Sequence, residues 1–350
     1  MKKYFVIVFI AIASCRKETV VNISPIDATG EILFISRRIP NSADWQMFLM
    51  NPDGTNQRMI SGSIVRCAPP VVSNNGTKVV FVTYDNNYYN LFVVGTNGQD
   101  QKLLTKATQF CGQPVWSPDD SKIAYVKSDN IGHNDIYSIY TDGSNELRLT
   151  SQNNNFSPVF FDNSSIIFAS SNSTWTGIYK MNVDGSNQHL LTPSNKSFAG
   201  PVVSPDKTKI AATSGDMNGS QIFIMNANGS SLKQITFTVS PVSYPGWPRD
   251  GNNNPIWSPD SKKIAYVSYE NGSPDIFTIN ANGTVNKRLT NTQLRDENPS
   301  WTKDGKYILF SSNRDLSMSS EIYIMRAEGQ SQTPLTNFIS DDIYPSFINK

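Results

Sequence analysis

The sequence predicts an all-β fold: a seven-bladed β-propeller of four-stranded antiparallel blades, closed by the C-terminal strand joining the N-terminal blade. Three observations predict it. One motif recurs at anchor prolines 70, 114, 158, 201, 255, 299 and 345, with spacings of 44, 44, 43, 54, 44 and 46 residues. Each unit holds short apolar segments separated by Pro-, Asp- and Gly-rich turns, the punctuation of antiparallel strands. The N-terminal unit lacks its first segment, and that segment stands alone at the C-terminus. Four strands every ~44 residues is the period of a propeller.

Each unit has the same four pieces. Pro114 opens PVWSPDDSKIAYV, Pro255 opens PIWSPDSKKIAYV and Pro299 opens PSWTKDGKYILFS. The first piece is the short apolar segment around the anchor. Ser-Pro-Asp then makes a tight turn, with Pro fixing φ and Asp bonding local backbone. An alternating strand follows, such as Lys122 to Val126. After a variable loop comes a third strand, such as Asp135 to Ile139 or Asp275 to Ile279. Asp-Gly or Asn-Gly then marks a hairpin to a short fourth strand ending in Leu-Thr. Trp116, Trp257 and Trp301 share one repeat position and are expected to pack between blades.

Residues 31–60 supply only three strands, Glu31–Ser36, Trp45–Met50 and Gln57–Ile60. Ile343–Ile348 supplies the fourth. Pairing the two ends removes an exposed sheet edge.

Composition narrows function. The 350 residues are 11% aromatic and 17% charged, with net charge +1. Phosphate backbones demand a basic excess, so no nucleic-acid partner is expected. Three Cys and two His exclude a disulfide-stapled fold and most His-rich metal sites. His133 and His189 occupy different repeat positions, so no metal and no cofactor are expected.

The first fifteen residues are MKKYFVIVFIAIASC. Lys2 and Lys3 precede an apolar run of ten residues, too short to span a bilayer of about 30 Å. Ile12-Ala13-Ser14-Cys15 resembles the bacterial lipobox. That resemblance implies a signal peptide over 1–14, lipid attachment at Cys15, a tether over 15–30 and the propeller over 31–350. The membrane is then a partner through the lipid. Arg16 stands where an Asp would resemble an inner-membrane retention signal, which favours the outer membrane.

The Pro-x-Trp-Ser-Pro-Asp and Asp-Ile-Tyr patterns resemble the WD-like repeats of the TolB propeller family, over about 31–349. TolB itself has an α/β domain before a six-bladed propeller, and this chain departs from both features. Similar repeats form the propeller of prolyl-oligopeptidase-type peptidases, whose hydrolase domain needs a Gly-x-Ser-x-Gly elbow that is missing here. Oligogalacturonate lyases are seven-bladed propellers that hold a metal through a His cluster, which two scattered histidines do not supply.

Strand order puts the Ser-Pro-Asp and Asp-Gly turns on one face. The loops between strands two and three, and between blades, fall on the other, and they vary as binding loops do. The binding candidates there are Arg37, Arg38, Tyr84, Tyr88, Trp175, Arg295, Asp296, Glu297 and Arg314. The long 237–254 connection adds Tyr244, Trp247 and Arg249. Cys67 and Cys111 both lie three residues before their anchor prolines, so an inter-blade disulfide is compatible with an oxidising compartment. No catalytic residue is assigned. The leading expectation is a non-catalytic module binding an envelope protein or glycan. The alternatives are a lyase-like polysaccharide-active enzyme using carboxylates, Tyr and Arg at the channel mouth, and a purely structural scaffold.

Overall fold

The computed structural model describes residues 29–38, 44–64, 69–85, 88–106, 110–216, 219–238, 252–314 and 319–348. They form seven four-stranded antiparallel sheets arranged as the blades of a propeller. Blade 1 joins both chain ends, in the order Asp342–Ile348, Glu31–Ser36, Trp45–Met50, Arg58–Ile64. Blades 2 to 7 follow in sequence, with first strands at Val71–Val72, Cys111–Trp116, Asn154–Asp162, Ala199–Val203, Asn252–Trp257 and Asp296–Trp301. The first strands of blades 2 to 7 touch in turn, and that of blade 7 touches Asp342–Ile348 of blade 1, so they line the axis.

The core is divided among the seams between blades. In blade 1, Ile32 and Phe34 pack with Leu309, Ile322 and Ile324 of blade 7. The alternate residues Leu33 and Ile35 pack with Val79 and Phe81 of blade 2. Both faces of the strand are therefore buried, which explains why it reads as a continuous apolar run. The same division repeats around the ring, one cluster per seam.

Recurrent hydrogen bonds explain the recurrent residues. The paired part of the fourth strand stops before the Leu-Thr dipeptide, as at Lys102–Leu103. The Thr is a staple instead. Thr105, Thr150, Thr192, Thr236, Thr290 and Thr336 each accept the N–H of the third strand at 2.8–3.1 Å. Trp116 and Trp257 donate their indole N–H to Val71 and Val202 carbonyls of the preceding blade, as packing residues should. Trp301 is half-buried, and its indole nitrogen has no partner.

Six first strands bulge just before the anchor proline. Gln113, Ser157, Gly200, Asn254, Asn298 and Tyr344 have φ between 51 and 57° there, and the pairing register shifts at each. An extra residue at a bulge re-aims its neighbours.

Candidate functional site

The turn face is built from groups that satisfy each other. Asp119 Oδ1 accepts from the Ser117 hydroxyl at 2.6 Å, the Ser121 N–H at 3.1 Å and the Ser121 hydroxyl at 2.8 Å. These bonds hold its carboxyl below the ordinary range, the Ser117 hydroxyl contributing most. Asp206 and Asp260 repeat the arrangement with Ser204 and Ser258. The bonds fall on Oδ1 in each case and fix the carboxylate within its own turn.

The loop face is different. Among the described residues, eight of thirteen large exposed apolar side chains stand on it: Tyr84, Tyr88, Tyr89, Ile131, Phe237, Leu294, Phe338 and Ile339. Two, Tyr140 and Val285, stand on the turn face. Blade 2 carries the densest patch. Its second and third strands, Lys78–Asp85 and Tyr88–Gly95, pair Tyr84 with Tyr89 directly. The two rings meet edge to face at 5.2 Å, and Tyr89 meets Phe110 at 5.9 Å. Tyr84 remains 59% exposed. An amphipathic ring with its face in water is an anchor for a protein surface or a sugar ring.

A polar cluster lies at the junction of blades 6 and 7. Glu297 Oε1 accepts from Arg295 Nη2 at 3.0 Å and from the Tyr269 hydroxyl at 3.2 Å. Both Arg295 and Glu297 keep substantial exposure, at 40% and 27% of their side chains. Nearby Glu270 is pushed up by burial, against the pull of Arg288. Asp296 is separated from this group: its side chain is fully buried in the seam and bound by Arg314 Nη2 at 2.9 Å.

Arg38 and Arg314 occupy equivalent positions after the second strands of blades 1 and 7. Arg38 donates to Asp342 at 2.6 Å, to Ser36 at 2.9 Å and to Gln57, over the rings of Phe48 and Phe338. Arg314 repeats this with Asp296, Ser312, Gln332 and the ring of Tyr323. Arg37 is exposed, its guanidinium 5.6 Å from the centre of the Trp45 ring. Trp175 is half-buried against Tyr179. Gly177 makes room for it, since a Cβ there would sit 2.2 Å from the indole.

Cys15, Cys67, Tyr244, Trp247 and Arg249 lie outside the described residues. Cys111 carries a free, buried thiol, pushed up to about 12 by burial. No group of three His, Cys, Asp or Glu side chains among the described residues is placed to hold a metal ion. No helix among them is long and apolar enough to cross a membrane.

Sequence reasoning named Arg295 and Glu297 but missed their link through Tyr269, which comes from the preceding blade. It also missed a register that the repeat contains. In blade 4 the residue three before the anchor proline faces the head of the preceding blade's third strand, Asn155 donating to Asp135 at 3.1 Å, and Asp296 and Asp342 hold the same repeat position in blades 7 and 1. Superposing the repeats by their prolines would have exposed these pairs.

Comparison with known proteins agrees with the fold. An uncharacterized protein of Agrobacterium fabrum is 26% identical over 144 residues, 41% of this chain and 45% of that protein. The Tol-Pal system protein TolB of Alcanivorax borkumensis is 30% identical over 101 residues, 29% of this chain and 21% of that protein. The chain thus spans under half the length of these curated relatives. The crystal structure of TolB from Acinetobacter baumannii superposes with a TM-score of 0.57 at 19% identity, covering 91% of this chain and 82% of that one. Oligogalacturonate lyase from Vibrio parahaemolyticus gives 0.64 at 14% identity, covering 81% and 83%. Residues 28–251 and 248–346 match the TolB beta propeller domain, and the chain belongs to that family.

Proposed function

We propose that this chain is a lipid-anchored propeller of the bacterial envelope that binds a protein or glycan, without catalysis, through its loop face. Cys15 carries the lipid, residues 15–30 tether the ring, and the outer membrane holds it. The ligand meets Arg37, Tyr84, Tyr88, Arg295 and Glu297, together with Tyr244, Trp247 and Arg249 of the long connection.

The observation carrying this reading is the asymmetry of the faces. Exposed aromatic and apolar side chains gather on loops of one face, whereas turn carboxylates on the other are internally bonded. The name of the TolB relatives, a Tol-Pal system protein, supports an envelope setting and a protein partner. Two measurements test the proposal. Labelled palmitate should enter the wild-type chain in cells and not a Cys15→Ala variant. Crosslinking in intact envelopes should capture a partner or glycan through Tyr84 or Arg295 substituted with a photoreactive residue, and not through Asp119 on the turn face. Equal capture from both faces removes the reading.

One observation favours a second reading, a polysaccharide-active enzyme. Glu270, whose carboxyl is raised by burial, stands beside Tyr269 of the Tyr269–Glu297–Arg295 group, and a raised carboxyl is the kind that serves as a proton donor. Cleavage of an anionic polysaccharide that is lost in Glu270→Gln would establish it.

A further inference from the structure

The seams between blades 6 and 7 and between blades 7 and 1 are built alike, with one difference. Both bury two carboxylates: Asp275 and Asp296, which share Thr292 as a donor, and Glu321 and Asp342, which feel each other's charge. In the first seam two guanidinium groups balance them. Arg288 binds Asp275 at 2.5 Å and Arg314 binds Asp296 at 2.9 Å. In the second, Arg38 binds Asp342 at 2.6 Å. The place of Arg288, opposite the third strand, is taken by Pro334, which pairs with Tyr323 as Arg288 pairs with Phe277. The closing seam therefore has two carboxylates and one guanidinium.

A buried unbalanced charge is expensive, and proteins avoid it by protonation. Glu321 and Asp342 are 3% and 0% exposed. From blade 7, Glu321 accepts the Thr336 hydroxyl at 2.5 Å and the Phe338 N–H at 2.8 Å. From blade 1, it faces Asp342 and Arg38. Asp341 is occupied by the Ser320 N–H at 2.9 Å. Asp342 Oδ1 is buried and has no hydrogen-bond partner, an acceptor available for one more proton.

We propose that this seam is a proton latch: Glu321 and Asp342 hold one proton between them while the ring is closed, and surrender it to solvent when the C-terminal strand opens. Rising pH then favours opening of that strand over every other first strand. Burial pushes the Glu321 carboxyl from 4.5 up to about 8, with Asp342 adding to the shift. The sign follows from linkage. A carboxyl raised in the folded state stabilises closure most below about pH 4.5, and that contribution fades as the pH rises to about 8.

Hydrogen exchange of the full chain, corrected for intrinsic rates, tests the latch. Opening of Asp342–Ile348 should rise about tenfold per pH unit from pH 6 to 7.5 and level off above about 8. Ala199–Val203, whose seam with blade 4 buries no carboxylate among the described residues, is the internal control and should stay flat. Glu321→Gln should abolish the slope. Gln is compatible with the position, since Gln221 fills it in blade 5, accepting from Thr236 and donating to Thr238. Pro334→Arg, which restores the missing guanidinium, should also flatten the slope while keeping both carboxylates. A wild-type strand with no pH slope overturns the proposal, as does a slope surviving both substitutions.

Discussion

The two faces of the ring are made from the same repeats, yet they spend their polar groups differently. On the turn face, aspartates such as Asp119 are bonded within their own turns. On the loop face, Tyr84, Phe237 and Ile339 stand 59, 73 and 92% exposed. The difference teaches where variation is tolerated. A turn of fixed length sets the register between first and second strands, so its residues repeat. The loops opposite join strands whose register is already set, so length and chemistry are free to differ.

The severest way to break the comparison is to open the ring, which undermines both faces. The strand Asp342–Ile348 pairs along Glu31–Ser36 and buries Ile343 and Ile348. Each buried side chain contributes about 1.5–3 kcal/mol, before the ladder bonds are counted. Deleting residues 341–350 is expected to lower Tm by about 10 °C or more. An unchanged thermal melt would mean that the closing strand is dispensable.

Next in size is the Thr staple. In Thr290→Val, the Ile276 N–H loses its 2.9 Å acceptor and Asp275 loses a donor, both within the seam. A buried donor left unsatisfied costs about 1–3 kcal/mol. Urea denaturation should show a loss of about 2 kcal/mol, with the m-value unchanged.

The Asx turns sharpen the comparison from the other side. Asp119→Ala should cost about 1 kcal/mol at neutral pH, the worth of its local hydrogen bonds in a mostly exposed turn. Its carboxyl is held below 3.8 by the Ser117 hydroxyl and then the Ser121 N–H. A lowered carboxyl stabilises the fold above its ordinary value, and the advantage is lost as the pH falls through the folded value. The gap between wild type and variant should therefore shrink below about pH 4 in denaturation series. A constant gap would assign the effect to packing.

What the sequence made legible follows the same division. Blade number, closure and the turn face are periodic, and a period can be read without coordinates. The seam chemistry is not, because its partners are distant: Arg38 and Asp342 are 304 residues apart. Arg38 and Arg314 read as loop-face cations, and the ring folds each against a carboxylate of its own first strand. Asp296 and Glu297 read as an acidic pair. Alternation along the strand sends the first into the seam, while the second reaches Arg295 and Tyr269. The Leu-Thr ending was visible as a repeat, but its meaning lay in a third-strand N–H fourteen residues away.

The smallest effect on stability is expected where the effect on binding is largest. Tyr84, Tyr88 and Tyr89 lie at the end of a hairpin whose deeper residues, Phe81 to Val82 and Leu91, are buried in the seams. Replacing Tyr84 and Tyr88 with Ala removes one cross-strand aromatic pair, worth about 0.2–1 kcal/mol, and leaves the Tyr89–Phe110 contact in place. The blade should survive, because its cores lie below the hairpin tip. Affinity for the captured envelope ligand should fall by at least tenfold, as anchors at an interface carry most of its energy. Denaturation and binding measured on one preparation separate the two effects. Lost binding with an intact melt places recognition on the blade 2 hairpin; intact binding moves it along the loop face toward Arg295 and Glu297, where Arg295→Ala becomes the deciding variant.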